Sequence, residues 1–299
     1  MGFVFHYTSP EAAMNILLQR ALWFTDSAYL NDSEELAYCY ELYNRAWVDI
    51  CREQGMPEEH IDHAITGLAS PHECVSFASE VVGTHVIARC YVFCTCLNGD
   101  SPVMWADYTG DDEATGCVLV FDRDMLHRAL QAITDESSRR GLCAEVLHGS
   151  VLYEECEQLE LIKASIKKHL GELNKASAAA NNDLDRIMNT EIARSLHWSW
   201  LEACAPFIKR PKYAGEQEYR FVLKVAQAEL PQGLINLYQE RVDNEWIASE
   251  NDTGSSQRGR SSLSMKTRKG TTEEAIPYCE VRLGKAMDGA LCGVKCRSH

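Results

Sequence analysis

The chain has 299 residues, a mass of 33.6 kDa and 45% hydrophobic residues, enough to bury a core as one large or two modest domains. Its formal net charge of −15 opposes a polyanion over most of the surface, which excludes a general nucleic-acid coating role and leaves room only for a local basic groove. No run reaches the roughly 18 apolar residues of a bilayer span, and the N-terminus lacks the basic region and long apolar core of a signal peptide, so a cytoplasmic protein with no membrane partner is expected.

The first element is an apolar strand, Phe3-Val4-Phe5, that runs into four polar residues, His6-Tyr7-Thr8-Ser9. Pro10-Glu11-Ala12-Ala13 then reads as a helix start, with Ser9 as N-cap, proline at the first helical position and an acid in the first turn. Strand, polar corner, helix is a layout that holds ligands in many α/β sites. The plainer alternative is a capped helix beside a histidine making an ordinary hydrogen bond.

Ala13, Ile16, Leu17 and Ala21 share one helical stripe, and Leu22-Trp23-Phe24 reads as a short strand. Asn31 or Asp32 caps a second helix that runs to about Arg52, with Leu36, Tyr40, Tyr43, Trp47 and Ile50 on its buried side. A further helix is expected over 58–69. The stretch from Val86 to Thr95 is β-branched and aromatic, a strand that ends in the dense turn signal Asn98-Gly99-Asp100-Ser101-Pro102. Val103 to Tyr108 is a short helix that sets Trp105 and Tyr108 at i, i+3, and Gly116 to Phe121 is an apolar strand of a sheet interior.

From 123 to about 145 the pattern is helical, and His148 to Tyr153 reads as a strand. The segment from 155 to about 204 is a helical insertion between sheet strands, with Lys163, Lys167, Lys168 and Glu172 on its solvated face. Phe207 to Tyr213 leads into a strand opened by Glu216-Gln217-Glu218. Residues 249–272 have the composition of a mobile loop, and Arg258, Arg260, Lys266, Arg268 and Lys269 make it the one clearly basic stretch. Ile276 to Leu283 is the last expected strand, followed by Gly284 and a short tail.

Thirteen cysteines are scattered through apolar segments, among them Cys39, Cys51, Cys90, Cys117, Cys143 and Cys204. That pattern suits reduced, buried thiols better than a disulfide framework. The tightest metal-like groupings, His72-x-Cys74, Cys94-x-Cys96 and Cys292-x-x-x-Cys296, lack the paired CxxC spacing of a structural zinc site, so no metal is expected.

A histidine at a strand end, an aromatic helix beside a buried strand and a glutamate at the mouth of a later strand suit cleavage of an N-glycosidic bond. The imidazole hydrogen-bonds, the aromatic face stacks on a flat heterocycle and the carboxylate stabilises a nearby carbocation. The order His6-Tyr7-Thr8, then Cys90 to Phe93 with Met104-Trp105-Ala106-Asp107-Tyr108 and Gly116 to Val120, then Tyr213 to Arg220 with its Glu-x-Glu, resembles the ADP-ribosyltransferase superfamily in its His-type branch. The toxin members' Ser-Thr-Ser is here Cys94-Thr95-Cys96. From about residue 3 to 285 the chain also resembles a widespread bacterial family of uncharacterised proteins. Its recurring pieces are Asn-Asp-x-x-Glu (Asn31, Asp32, Glu35), Met-Trp-x-x-Tyr (Met104, Trp105, Tyr108) and Glu-x-Glu-Tyr-Arg (Glu216, Glu218, Tyr219, Arg220).

The resemblance implies an α+β fold, a single ADP-ribosyltransferase-like domain over 1–299 with a split β-sheet and flanking helices, and NAD as substrate in the cleft. It implies that His6 holds the NAD ribose by a hydrogen bond, that backbone groups at Tyr7 grip the nicotinamide amide with Thr8 among the binding residues, and that Tyr108, with Trp105, stacks on the ring. Glu218 is the implied catalytic carboxylate, and Glu216 orients or deprotonates the acceptor. Arg220 contacts a phosphate or pairs with Glu35, and Asn31 completes the binding set. The expected activity is transfer of ADP-ribose to a macromolecule, either a protein or an RNA or DNA drawn in by the Arg258 to Lys269 loop. The setting implied is a toxin or phage-defence effector with an antitoxin protein as partner; the alternative is a non-enzymatic nucleotide-sensing module.

Overall fold

The structure is a computed structural model, and it describes residues 2–30, 35–58, 60–61, 85–108, 115–139, 143–183, 185–187, 189, 197, 200–201, 203–229, 262–269 and 275–298. It is a mixed helix and sheet protein. The strands are β1 (Phe3–Thr8), β2 (Ala21–Asp26), β3 (His85–Cys96), β4 (Thr115–Asp122), β5 (Cys143–Ser150), β6 (Glu218–Glu229), β7 (Ser262–Lys269), β8 (Ala275–Arg282) and β9 (Leu291–Ser298). The helices are α1 (Pro10–Gln19), α2 (Glu35–Glu53), α3 (Pro102–Tyr108), α4 (Arg123–Arg139), α5 (Glu155–Ala178) and the single turn α6 (Met287–Ala290).

The strands form one sheet in the order β7-β8-β2-β3-β1-β4-β9, with β6 lying between β3 and β5 off that path. β3 pairs with β6 along its whole length, from His85↔Glu229 to Cys96↔Glu218, which consumes one of its two edges. On the other edge β2 takes Tyr91 and Val92, and β1 takes Cys96. The sheet therefore divides along β3 over Phe93 to Thr95. β1 and β2 are both antiparallel to β3 and hence parallel to each other, so they need a crossover, which α1 supplies. The local signals for α1 hold: Ser9 Oγ accepts from the Ala12 amide at 3.2 Å and Pro10 opens the helix.

Side-chain alternation on β6 divides its residues between two packing layers. Tyr219, Phe221, Leu223 and Val225 enter the main core with Val4, Phe93, Leu119, Phe121 and, from α4, Leu126, Leu130 and Ile133. Glu218, Arg220 and Val222 face the opposite way, where Val222 packs with Cys90 and Val92 and, partly buried, Phe207. A separate helical core joins Cys39, Leu42, Tyr43, Ala46 and Ile50 of α2 to Ile162 and Ile166 of α5, with Leu201, Ala205 and Ile208. Gly99 is required in the turn after β3, because a Cβ there would lie 2.6 Å from the Phe5 ring.

Several expectations are corrected. The short tail after Gly284 is instead β9, which pairs with β4 from Thr115↔Ser298 to Phe121↔Leu291. Part of the presumed mobile loop, residues 262–269, is strand β7 paired with β8, so Lys266, Arg268 and Lys269 sit on a strand while Arg258 and Arg260 lie outside the described residues. The expected strand at His148 to Tyr153 begins earlier, at Cys143, and α4 ends at Arg139. The solvated face of α5 is partly paired: Lys163 Nζ lies 2.8 Å from Asp49 and Lys167 Nζ 2.9 Å from Glu53 on α2. The described cysteines are free thiols. Asn31, Asp32 and most of the helix expected over 58–69 lie outside the described residues. No helix among the described residues is long and apolar enough to cross a membrane.

Candidate functional site

A cavity of about 440 Å³ opens at the split in the sheet. β1 contributes His6, Tyr7 and Thr8, α1 contributes Glu11, Asn15 and Gln19, β3 contributes Val92 to Cys94, and Lys209, Glu218 and Arg220 close the far wall. His6 fills the gap between β1 and β3, with Nδ1 2.9 Å from the carbonyl of Cys94. Because a carbonyl only accepts, Nδ1 carries the proton of that bond, which makes Nε2 the acceptor nitrogen of the neutral ring. Burial pushes the His6 pKa below its ordinary value against the raising effect of the Cys94 bond, so the ring stays neutral at pH 7 while part of its surface remains open to the cavity.

The opposite wall is a buried charge network. Lys209 Nζ lies 2.6 Å from Glu216 Oε2 and 3.0 Å from Glu218 Oε1, and Arg220 Nε donates to Glu218 Oε2. A second guanidinium nitrogen of Arg220 donates to the Pro206 carbonyl at 2.7 Å. The four side chains are 1% to 5% exposed as residues, so their charges have little water to stabilise them and must satisfy one another. Burial alone would raise the Glu218 pKa, but Arg220, the hydrogen bond from Glu216 and the charge of Lys209 override it and hold the carboxylate down at about 2. Burial and the neighbouring Glu218 push Glu216 the other way, to about 8, against the pull of Lys209. The pair titrates together, with Glu218 ionised and Glu216 the proton carrier.

The backbone between the two acids is strained. Gln217 ends a 3-10 turn, Pro211–Glu216, in the left-handed region at φ 46 and ψ 48, and Glu218 then starts β6. Glu218 N–H donates to the Tyr153 hydroxyl at 3.0 Å, and Cys96 Sγ donates to the Glu216 carbonyl at 3.1 Å. Across the β3–β6 ladder Cys94 faces Arg220 and Cys96 faces Glu218.

His6, Tyr7, Thr8, Glu218 and Arg220 thus meet at one cavity. Tyr7 turns its ring away: its hydroxyl donates to Asn98 O and accepts from Ser101 N, each at 2.8 Å, and its ring meets Trp105 edge-on. Glu216 stands behind Glu218 rather than in the cavity lining. Trp105, expected to help stack on a ligand ring, packs instead with Tyr7, Met104, Cys96 and Val118, with Nε1 bonded to Asp100 at 2.8 Å. Tyr108 closes α3 and its side chain, like Asn31, lies outside what is described. The contacts of Arg220 include Glu218 and Pro206, and the side chain of Glu35, its other expected partner, lies outside what is described.

The lining residues that the sequence reading did not assign to the site include Lys209, Trp23 and Tyr29. Trp23 and Tyr29 are each 41% exposed, unusually open for large aromatics, and Trp23 stacks obliquely on Tyr278 at 5.0 Å. An exposed tryptophan in a strand whose neighbours are core residues was the available signal.

A family model described as "Protein of unknown function (DUF2971)" matches residues 104–221, a span that holds both Met104-Trp105-x-x-Tyr108 and the Glu216 to Arg220 motif. No curated protein and no solved structure matches the chain.

Proposed function

We propose that the protein cleaves NAD and transfers its ADP-ribose to a macromolecular acceptor. What supports the reading most is the divided edge of β3, which brings a neutral His6 and an ionised Glu218, 212 positions apart, to one cavity. Its volume of about 440 Å³ suits a nucleotide-sized ligand. In the reaction the bond from ribose C1′ to the nicotinamide nitrogen breaks, and the electron pair leaves with nicotinamide as a neutral molecule. The ribose gains oxocarbenium character, and a carboxylate that remains charged while largely dry stabilises it more strongly than one in water. The acceptor nucleophile then bonds to C1′ and releases its proton to water. His6 orients the ribose by hydrogen bonding, and the open faces of Trp23 and Tyr29 serve for ring stacking. A protein, RNA or DNA acceptor fits this chemistry equally, and a toxin or phage-defence role with an antitoxin is the setting proposed for it.

The test is to incubate the purified protein with NAD and an acceptor mixture and to measure nicotinamide. Glu218→Gln is expected to reduce release by about 10²-fold or more, in line with the loss of a preorganised electrostatic group. Undiminished turnover in that variant removes Glu218 from the mechanism.

One observation favours a second reading, a nucleotide-sensing module without catalysis: Glu218 is already neutralised by Lys209 and Arg220, which weakens its field at the ribose. Tight binding of ADP-ribose or NAD by calorimetry, with no nicotinamide formed in the presence of lysate, RNA and DNA, selects it.

A further inference from the structure

We propose that Lys209 is the positioning residue of the Glu216–Glu218 pair, aimed by a buried clamp in the helical layer so that helices α2 and α5 control the carboxylate of the cavity. The inference rests on the reading of Glu218 as the catalytic group. It adds a residue and a route of control that neither the Glu-x-Glu pattern nor the family match assigns.

The clamp is continuous. Residues 207–209 run beside the chain that leaves β5: Leu152 N–H donates to Phe207 O at 2.8 Å, Lys209 N–H donates to Leu152 O at 3.1 Å, and Leu152 and Ile208 form a parallel bridge. Gln158 on α5 seals this pair. Its Nε2 donates to Leu152 O at 2.6 Å and to Lys209 O at 2.8 Å, and its Oε1 accepts from the Tyr38 hydroxyl of α2 at 2.9 Å. A glutamine 0% exposed in a helix is rare, and here its donors and its acceptor are all used. The amide thus fixes the main chain of Lys209, and the main chain sets where its ammonium can reach.

That ammonium reaches both acids, at 2.6 Å to Glu216 and 3.0 Å to Glu218, and lies 4.7 Å from the centre of the Tyr213 ring. The other described groups around Glu218 include Arg220 on its own strand, Glu216 before the strand, Tyr153 after β5, Cys96 on β3 and, among the cavity residues, His6 and Glu11. Of these only Arg220 shares the positive charge with Lys209. Removing Lys209 therefore takes from Glu218 one of the two cations described beside it and from Glu216 the ammonium bonded to it. The sign follows: with less positive charge beside it, the Glu218 carboxylate protonates at higher pH, and the acid limb of any activity that needs it ionised moves up.

The experiment compares wild type, Lys209→Met, Lys209→Arg and Gln158→Met. Nicotinamide release from NAD is recorded against pH, and the glutamate carboxyl titration is read by isotope-edited infrared spectroscopy on the same proteins. Lys209→Met is expected to lower release about 10²-fold at neutral pH, the effect of misplacing a reacting group, and to move the acid limb and the carboxyl titration upward. Lys209→Arg, which keeps the charge, is expected to restore the position of the limb. Gln158→Met leaves Lys209 in the chain and is expected to move the limb in the same direction by less, so it carries the test if Lys209→Met does not fold. A fall in thermal stability with limb and titration unmoved overturns the proposal. Absence of nicotinamide release from wild type overturns the NAD reading instead, and the infrared titration still decides whether Lys209 sets the charge state of the pair.

Discussion

Two buried networks in this molecule both hold titratable groups and differ in what they face. At the cavity, Lys209 and Arg220 hold the ionised Glu218, and Lys209 also bonds the protonated Glu216. In the helical layer His169 and His197 stack at 4.1 Å, and His197 Nε2 is 2.8 Å from the Tyr43 hydroxyl. Both contain groups far from their ordinary protonation: burial, helped by His169, holds His197 down at about 4, as Glu216 is driven up to about 8. Burial and a shifted pKa therefore do not mark a site by themselves. What separates the two is access, since Glu218 and Lys209 line a cavity and His197 packs among the residues that join α2 to α5.

The comparison breaks most sharply in paired variants. Glu218→Gln is expected to cost about 10²-fold or more in nicotinamide release, whereas His197→Gln is expected to leave release unchanged and lower the urea midpoint. Equal losses of activity in both would erase the distinction drawn between them.

Acid and alkali are expected to attack the two networks from opposite ends. The depressed His197 takes up its proton more readily unfolded than folded, so the stability it supports is present above about pH 6.5 and falls as pH drops toward 4. The raised Glu216 holds its proton more tightly folded than unfolded, so stability falls as pH rises from about 4.5 to 8. Glu218, depressed, adds a loss only as pH falls from about 4.5 toward 2. Urea midpoints at several pH values check the signs: His197→Gln flattens the acid arm and Glu216→Gln the alkaline arm.

Two smaller effects sharpen the picture. Tyr43→Phe removes the hydroxyl from His197 and is expected to cost about 1 kcal/mol in chemical denaturation, with ADP-ribose binding unaltered. Gln217→Gly relieves the left-handed backbone between the two acids. With about 1–2 kcal/mol of strain removed and about 0.5–1 kcal/mol lost to glycine's freedom in the unfolded chain, a net gain of about 0.5 kcal/mol is expected. Stabilisation together with slower nicotinamide release would show that the strain serves the geometry of the pair.

The legible parts of the fold are those written in neighbouring residues. The β1 to α1 corner follows from an apolar run, a capping serine and a proline, and β3, β4, β6 and β8 follow from runs of β-branched and apolar residues. β7 and β9 were missed for one reason. Ser262 to Lys269 and Leu291 to Ser298 carry Ser, Lys, Arg or Gly at alternate or adjacent positions, and they are the two ends of the strand path, where one side of the ladder has no partner strand among the described residues. Lys209 was hidden similarly, because a lysine beside Arg210 and before Pro211 reads as a solvated basic turn.

By itself the sequence determined the types of the elements with strong local patterns, the polar corner at His6 and the presence of two acids at the start of a strand, since each depends on local spacing and side-chain chemistry. Tertiary structure alone decided that β1 and β2 share one edge of β3, that the resulting gap holds His6 opposite Glu218, and that Lys209 and Arg220 surround the ionised Glu218. Those facts depend on pairings between residues tens to hundreds of positions apart, and on burial, which turns an ordinary glutamate pair into one ionised and one protonated group.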